Sequence, residues 1–325
     1  MNNYQKFIEA KHKQFTTSAE LIHSVITEST GKSIAEKVRL VVGEHHEVYI
    51  ITLTGGNSVV LRIDHADYQD FWQEQWAIGQ ALAIGLPAPK FILMKHIRKG
   101  TGYLSFCVME RLSGHPLLPV TDERAERVDG YVKKMVSKSA LLLAKIHSIS
   151  TRGFGRIDGN GVGQYPSLSA MILEKVAQEE HLLQLAEETG FEKQKMIHIL
   201  TILSEHQSLY EVEKPVLNHG DFGPKHIMVQ GDTITGIIDR GEAASNTPVY
   251  DFAYWDYWRG DILPIALLKD AYPNKSIFDD QFESLMSIFK LYLGIGLLYH
   301  YRQAGYQSAI EKVKLRFDRD LTAFN

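Results

Sequence analysis

Asp221 and Asp239 stand on either side of a short apolar hairpin in the stretch VLNHGDFGPKHIMVQGDTITGIIDRGEA, Val216 to Ala243. Ile227 to Val229 and Ile234 to Ile238 have the length and β-branched character of strands, with Gly231 and Asp232 at the turn. Folding this hairpin is expected to carry Asp221, His226 and Asp239 toward one mouth. The chemistry suited to such a set is phosphoryl transfer, in which one carboxylate orients a hydroxyl nucleophile while other groups hold a metal on ATP. A lone aspartate in a loop is commonly a turn former or helix cap, so the joint pattern carries this reading and neither residue does alone.

The block resembles the aminoglycoside phosphotransferase superfamily of kinase-like small-molecule phosphotransferases, whose catalytic segment reads HGDxxxxN and is followed by IDxG. His219, Gly220 and Asp221 match the first segment, and Ile238, Asp239 and Gly241 match the second. The surrounding wording, HGDFG, ITGIID and EA, is similar to the hygromycin phosphotransferase-like branch. Two positions depart: His226 replaces the family's asparagine, and Arg240 replaces an aromatic or aliphatic residue. The resemblance implies an α+β, two-lobed protein-kinase-like fold that binds ATP (or GTP) between its lobes. Residues 1–111 would form an N-terminal lobe, a β-meander plus helix, and residues 112–325 a mainly helical C-terminal lobe carrying the hairpin. It further implies that Asp221 is the catalytic base and that Asp239, with His226 at the second position, holds Mg2+. Magnesium prefers oxygen ligands, whereas imidazole suits manganese better, so Mn2+ is an alternative. Arg240 could stabilise phosphate charge or pair with Asp239 and weaken its hold on metal.

The elements that would position these groups begin with a meander. Val38 to Val42, Val48 to Leu53 and, after the TGGN turn, Ser58 to Asp64 read as strands. In the last of them Val59, Leu61 and Ile63 share one face by the period of two, which leaves Arg62 free to face a cleft. A helix is expected from about Tyr68 to Ile84, stopped by Gly85, Pro87 and Pro89. Glu74 lies on its apolar stripe between Phe71 and Ile78, where a carboxylate needs a partner, and Arg62 is the nearest cation the topology offers. Under the resemblance this is the pair that grips the nucleotide phosphates. The phosphate-covering loop would lie in VVGEHHEVYII, Val41 to Ile51, which has one glycine, Gly43. Adjacent His45 and His46 would point to opposite faces, and a solvated turn suits them better than a metal site. In SFCVMERLSGHPL, Ser105 to Leu117, the resemblance makes Met109, Glu110 and Leu112 the adenine-binding hinge, with backbone groups of Glu110 and Leu112 and the Met109 side chain at the back of the pocket.

From about Asp122 the pattern turns helical, with a stripe through Val132, Met135, Val136, Leu143 and Ile146. Ser167 to Glu188 and Lys193 to Leu209 give further helices, and Asp251 corresponds to the family residue that braces the catalytic loop. With 325 residues, 44% hydrophobic and 23% charged, the chain can bury a full core as one large or two modest domains. A net charge of -4 with scattered lysines and arginines argues against nucleic acid and anionic membrane as partners. The amino terminus has no signal-like apolar core and the apolar run Leu291 to Tyr299 is short, so a cytoplasmic protein is expected. The single cysteine, Cys107, reads as a buried strand residue.

The partner expected is a small hydroxylated acceptor, with an aminoglycoside or related sugar as the class the resemblance implies. Residues 244–325 hold ten acidic residues and nine Lys or Arg, so they show no bias toward a polycation. Two other readings use the same residues: a nucleotide-binding kinase-like protein with little catalysis, motivated by His226 and Arg240, and a metal-dependent phosphohydrolase built on His219, Asp221, His226 and Asp239. The hydrolase would need no Arg62–Glu74 pair.

Overall fold

The computed structural model of the chain describes residues 3–65, 71–100, 102–118, 128–212 and 214–324. The expected helix starts at Tyr68 and Asp122 lie outside them. Two compact units emerge, Met1–Arg124 with Pro224–Gly241, and Ala125–Gly223 with Glu242–Asn325.

The first unit is built on an antiparallel sheet of β1 (Ile34–Leu40), β2 (His46–Leu53), β3 (Ser58–Asp64), β4 (Phe91–Lys99) and β5 (Gly102–Glu110), in the order β1-β2-β3-β5-β4. Alternation sorts the side chains onto two faces. Val59, Leu61 and Ile63 join Tyr49, Ile51, Phe106 and Val108 under Ile22, Val25 and Ile26 of helix α2 (Ala19–Thr30), which follows α1 (Asn3–His12). On the other face Cys107 and Met109 pack with Phe71, at the N-cap of α3 (Trp72–Ala83). Burying such aliphatic and aromatic side chains is worth roughly 1.5–3 kcal/mol each. Gly85, at φ 73°, ends this helical segment as expected: its N–H donates to Leu82 O and that of Leu86 to Ala81 O.

Seven shorter strands follow: β6 (His115–Pro116), β7 (Phe154–Ile157), β8 (Gly163–Tyr165), β9 (Val216–Asn218), β10 (Ile227–Gln230), β11 (Thr233–Ile237) and β12 (Ala244–Asn246). They form two small sheets, in the orders β11-β10-β6 and β8-β7-β12-β9. The first contains the expected hairpin, with Gln230 paired to Thr233 around the Gly231–Asp232 turn. A boundary at residue 111 would assign this hairpin to the C-terminal part, but it belongs to the first unit. Its backbone bonds explain why: β10 pairs with β6, Leu117 N donates to Ile227 O at 2.8 Å, and Ile237 N to Pro87 O at 3.1 Å.

The second unit is mainly helical: α4 (Gly130–Ile146), α5 (Leu168–Ala177), α6 (Glu179–Thr189), α7 (Lys193–Glu205), α8 (Val249–Arg259), α9 (Ala266–Ala271), α10 (Phe282–Gln303) and α11 (Gln307–Leu321). Asp129 caps α4 through Val132 N at 2.9 Å, and Ser167 caps α5. The single helix expected from Ser167 to Glu188 is two, divided at Gln178 (φ −96°, ψ 21°). The 22 residues of α10 are long and apolar enough to cross a membrane, which its shorter apolar run does not suggest, yet 61% of its most apolar window is buried inside the protein. That is the pattern of a core helix.

One buried charge in the first unit has a measurable consequence. Glu47, 1% exposed, accepts hydrogen bonds from Thr17 Oγ1 (2.7 Å), Tyr49 Oη (2.5 Å) and His65 Nε2 (2.8 Å). Burial pushes its carboxyl up, but the bonds from His65, Tyr49 and Thr17 outweigh it and hold the group at about 2. A carboxyl lowered on folding contributes stability that is complete above its unfolded value near 4.3 and lost as pH falls toward 2, on the order of 2–3 kcal/mol here. Thermal unfolding from pH 6 to pH 2 should therefore show the gap between wild type and Glu47→Gln closing below about pH 4; a constant gap contradicts the assignment.

Candidate active site

Arg62 leaves β3 on the face opposite Val59, Leu61 and Ile63, as alternation requires. Its Nη1 donates to both Glu74 oxygens, at 2.7 and 2.8 Å, so the carboxylate on the packing face of α3 has its cation. Arg62 is 7% and Glu74 1% exposed, and the Phe71 ring lies 5.2 Å from the guanidinium. The other guanidinium nitrogen, Nη2, donates to His46 Nδ1 at 3.1 Å and to Asp239 Oδ1 at 3.3 Å. Burial, reinforced by the Arg62 charge, holds His46 well below the usual histidine range. His46 is therefore neutral at pH 7, with its proton on Nε2. His226 Nε2 lies 3.4 Å from Asp239 Oδ2.

Asp239 is the residue other than glycine with positive φ (62°) among those described, a conformation that costs about 1–3 kcal/mol and collects at functional sites. Burial pushes its carboxyl up, but Arg62 and the bond from His226 hold it well below the usual carboxylate range. The side chain is nevertheless 46% exposed, an ionised carboxylate with access to solvent. Next to it, Arg240 is fully buried and its backbone N–H donates to Glu74 Oε1 at 3.3 Å. Gln73 Nε2 donates to Gly241 O at 2.5 Å. The segment after the hairpin is thus tied to α3 by both backbone and side chain.

In the second unit, β9 and β12 present the loop His219–Gly220–Asp221. Asp251, in the first turn of α8 and fully buried, braces it. Its Oδ2 accepts His219 N–H at 2.8 Å and its Oδ1 accepts Gly220 N–H at 2.9 Å. His147 Nε2 lies 3.0 Å from Asp251 Oδ2, and its Nδ1 is 2.9 Å from the Tyr272 hydroxyl. Burial acts to raise the Asp251 carboxyl, but His147 and then His219 lower it further, so it is ionised. Gly220 sits at φ 81°, and a Cβ there would run into the carbonyl oxygen of Glu242. Only glycine fits. Asp221 N–H donates to His219 Nδ1 at 3.3 Å. Tyr254 donates its hydroxyl to the Asp221 carboxylate, and burial together with that charge holds the phenol well above its usual range.

Of the expected residues, Arg62, Glu74, His226 and Asp239 come together in the first unit, while Asp221 stands in the second on the Asp251-braced loop. His45 is exposed, whereas the solvated-turn expectation fails for His46, which is drawn onto Arg62 at the start of β2. Met109 is buried at the end of β5; Glu110 is exposed, with its N–H on Lys90 O at 2.9 Å. Leu112 packs so closely on Gly236 that a Cβ there would collide with its side chain. Three residues at the site escaped the sequence reading: His46, Gln73 and Tyr254. The signal for Tyr254 was its spacing of three from Asp251, which places both on one helix face.

A profile of the phosphotransferase enzyme family matches residues 38–275, and the chain belongs to that family. It is 24% identical over 237 residues to hygromycin-B 4-O-kinase of Escherichia coli, covering 70% of this chain but 63% of that kinase's own length. Among solved structures, aminoglycoside phosphotransferase APH(4)-Ia superposes with a TM-score of 0.72 at 19% identity, over 95% of this chain and all of that one. The GDP and kanamycin complex of APH(2")-IIIa superposes with a TM-score of 0.65 at 17% identity, over 94% of this chain and 99% of that one. A thermostable mutant of APH(4)-Ia in ternary complex with AMP-PNP and hygromycin B gives 0.71 at 19% identity, over 93% and 98%. The expected kinase-like α+β fold is the one these neighbours share.

Proposed function

We propose that the protein is an ATP-dependent O-phosphotransferase acting on a small hydroxylated molecule, with an aminoglycoside or related sugar as acceptor. The observation that carries this reading is the buried Arg62–Glu74 pair set directly against an ionised, half-exposed Asp239. A guanidinium fixed by one carboxylate and offered to the neighbourhood of a second suits phosphate oxygens and the cation that accompanies them. The nucleotide and aminoglycoside in the solved relatives' complexes support the same donor and acceptor classes; GTP is the alternative donor.

In this reading Asp221 orients the acceptor hydroxyl and takes its proton late, held in place by the Asp251-braced loop and the Tyr254 hydroxyl. Asp239 suits a divalent cation, and the imidazole of His226 suits manganese better than magnesium or reaches the ion through water. When bound, the cation neutralises charge on the nucleotide phosphates. Met109, Glu110 and Leu112 would receive the adenine. A second reading, nucleotide binding with weak catalysis, draws on the Arg62–Asp239 contact, because a carboxylate already paired with a guanidinium competes less well for metal. The hydrolase reading is disfavoured: His219 is fully buried with its Nδ1 taken by Asp221 N–H.

The test is ATP turnover against a panel of aminoglycosides, amino alcohols and sugars, scored by the mass gain of one phosphate. A protein that neither transfers phosphate to any of them nor gains thermal stability from ATP with magnesium or manganese is no kinase. His226→Asn, which restores an oxygen donor, should lower the ratio of manganese- to magnesium-supported turnover; an unchanged ratio assigns His226 to the scaffold. The reading also places the protein in the cytoplasm, and recovery in a membrane fraction would contradict that.

A further inference from the structure

The β1–β2 connection has one glycine, Gly43, at φ 74°. It is held from outside. His12 Nε2 lies 3.0 Å from Gly43 O, and since a carbonyl only accepts, His12 carries its proton on Nε2. His12 is 3% exposed and burial lowers its pKa, in keeping with a neutral ring. Behind it, Arg39 Nη2 on β1 donates to the carbonyls of His12 (2.8 Å) and Phe15 (3.1 Å). The Phe15 ring stacks on His65 with centroids 5.0 Å apart. Thr17 then reaches Glu47, the buried carboxylate that also gathers Tyr49, His65 and, at 3.8 Å, Arg39.

Glu47 directly follows His46 on β2. Consecutive strand residues point to opposite faces, so one backbone unit sends Glu47 into the N-terminal segment and His46 onto Arg62 Nη2. We infer that residues 3–18 are a strap that fixes the β1–β2 connection and, through Glu47, the position of His46 against Arg62, so that this connection is held ready to cover the nucleotide phosphates. The inference rests on the phosphotransferase reading. Glu47 is a positioning residue within it, acting through His46 and Gly43 without touching substrate. The strap fixes the backbone of the connection at Gly43, the glycine at its centre.

The experiment pairs two variants in the full chain. Glu47→Gln removes the charge that gathers the strap, and His12→Phe keeps the ring packing on Phe15 while deleting the bond to Gly43. Both are read by amide hydrogen exchange over residues 41–46 and by steady-state kinetics. The expected result is exchange faster by about threefold or more in that stretch, with KM for ATP raised about five- to tenfold, kcat within about twofold and acceptor KM unchanged. His12→Phe carries the test if Glu47→Gln proves too unstable to purify. Unchanged exchange in His12→Phe overturns the strap. Faster exchange with unchanged KM for ATP overturns its link to the nucleotide. Faster exchange in a protein whose wild type shows no ATP binding by calorimetry sinks the phosphotransferase reading, and with it the covering role, while the strap itself stands.

Discussion

Asp221→Asn is expected to cut turnover by about a hundredfold or more while leaving nucleotide affinity within a few fold. The substitution is close to isosteric. Its oxygen still accepts the Tyr254 hydroxyl, and its backbone N–H still donates to His219 Nδ1. What it loses is the capacity to take the acceptor's proton as the phosphoryl group arrives. Since the proposed role involves the acceptor and not ATP, the effect belongs in kcat, with ATP binding measured separately by calorimetry. Intact turnover would show that the HGD segment does not supply the base, and the assignment would have to move. Asp239→Asn is the control, because losing a charged ligand should weaken metal-dependent nucleotide binding itself.

Asp251→Ala should be the most destabilising of the site substitutions and should also abolish turnover. The carboxylate satisfies the backbone N–H groups of His219 and Gly220 and the ring of His147, all of them buried. Each buried donor left without an acceptor costs about 1–3 kcal/mol, and the carboxylate's removal strands three at once. A loss of roughly 3–5 kcal/mol is a large part of the 5–15 kcal/mol typical of a domain, and should lower Tm by about 10 °C. Asp251→Asn keeps one acceptor oxygen and should fall between wild type and alanine. Thermal unfolding of the three proteins decides the matter; an alanine variant melting within about 2 °C of wild type would remove Asp251 as the brace.

The parts of this protein legible from its sequence are those in which one residue type leaves a mark at a fixed spacing. A carboxylate on an apolar helix stripe announced Glu74 and its need for Arg62, and the two are hydrogen bonded at 2.7 Å. Period two placed Val59, Leu61 and Ile63 in the core, and the Gly231–Asp232 turn located the hairpin. What escaped depended on contacts far apart in the chain. His46 is drawn onto a guanidinium from the next strand, which no property of the dipeptide His45–His46 reveals. The helix break at Gln178 has no proline or glycine to announce it. The alliance of the hairpin with β6 and Pro87 depends on backbone bonds that any side chains would permit. Helices α1 and α2 also went unread, although Ser18 and Gly31 bound α2 as its caps.

The hairpin's membership in the first unit makes that unit discontinuous in sequence, which matters while the chain is being made. Arg62 and its partner Asp239 are separated by 177 residues, and β6 waits for a strand, β10, that begins at Ile227. At ribosomal speeds of about 5–20 residues per second, the N-terminal sheet emerges roughly 6–25 s before the segment that completes its unit. Through that interval the edge of β6 is unpaired and the Asp239 side of Arg62 is unfilled. The first unit can therefore reach its final form only after the whole first segment of the second unit, Ala125–Gly223, has been synthesised.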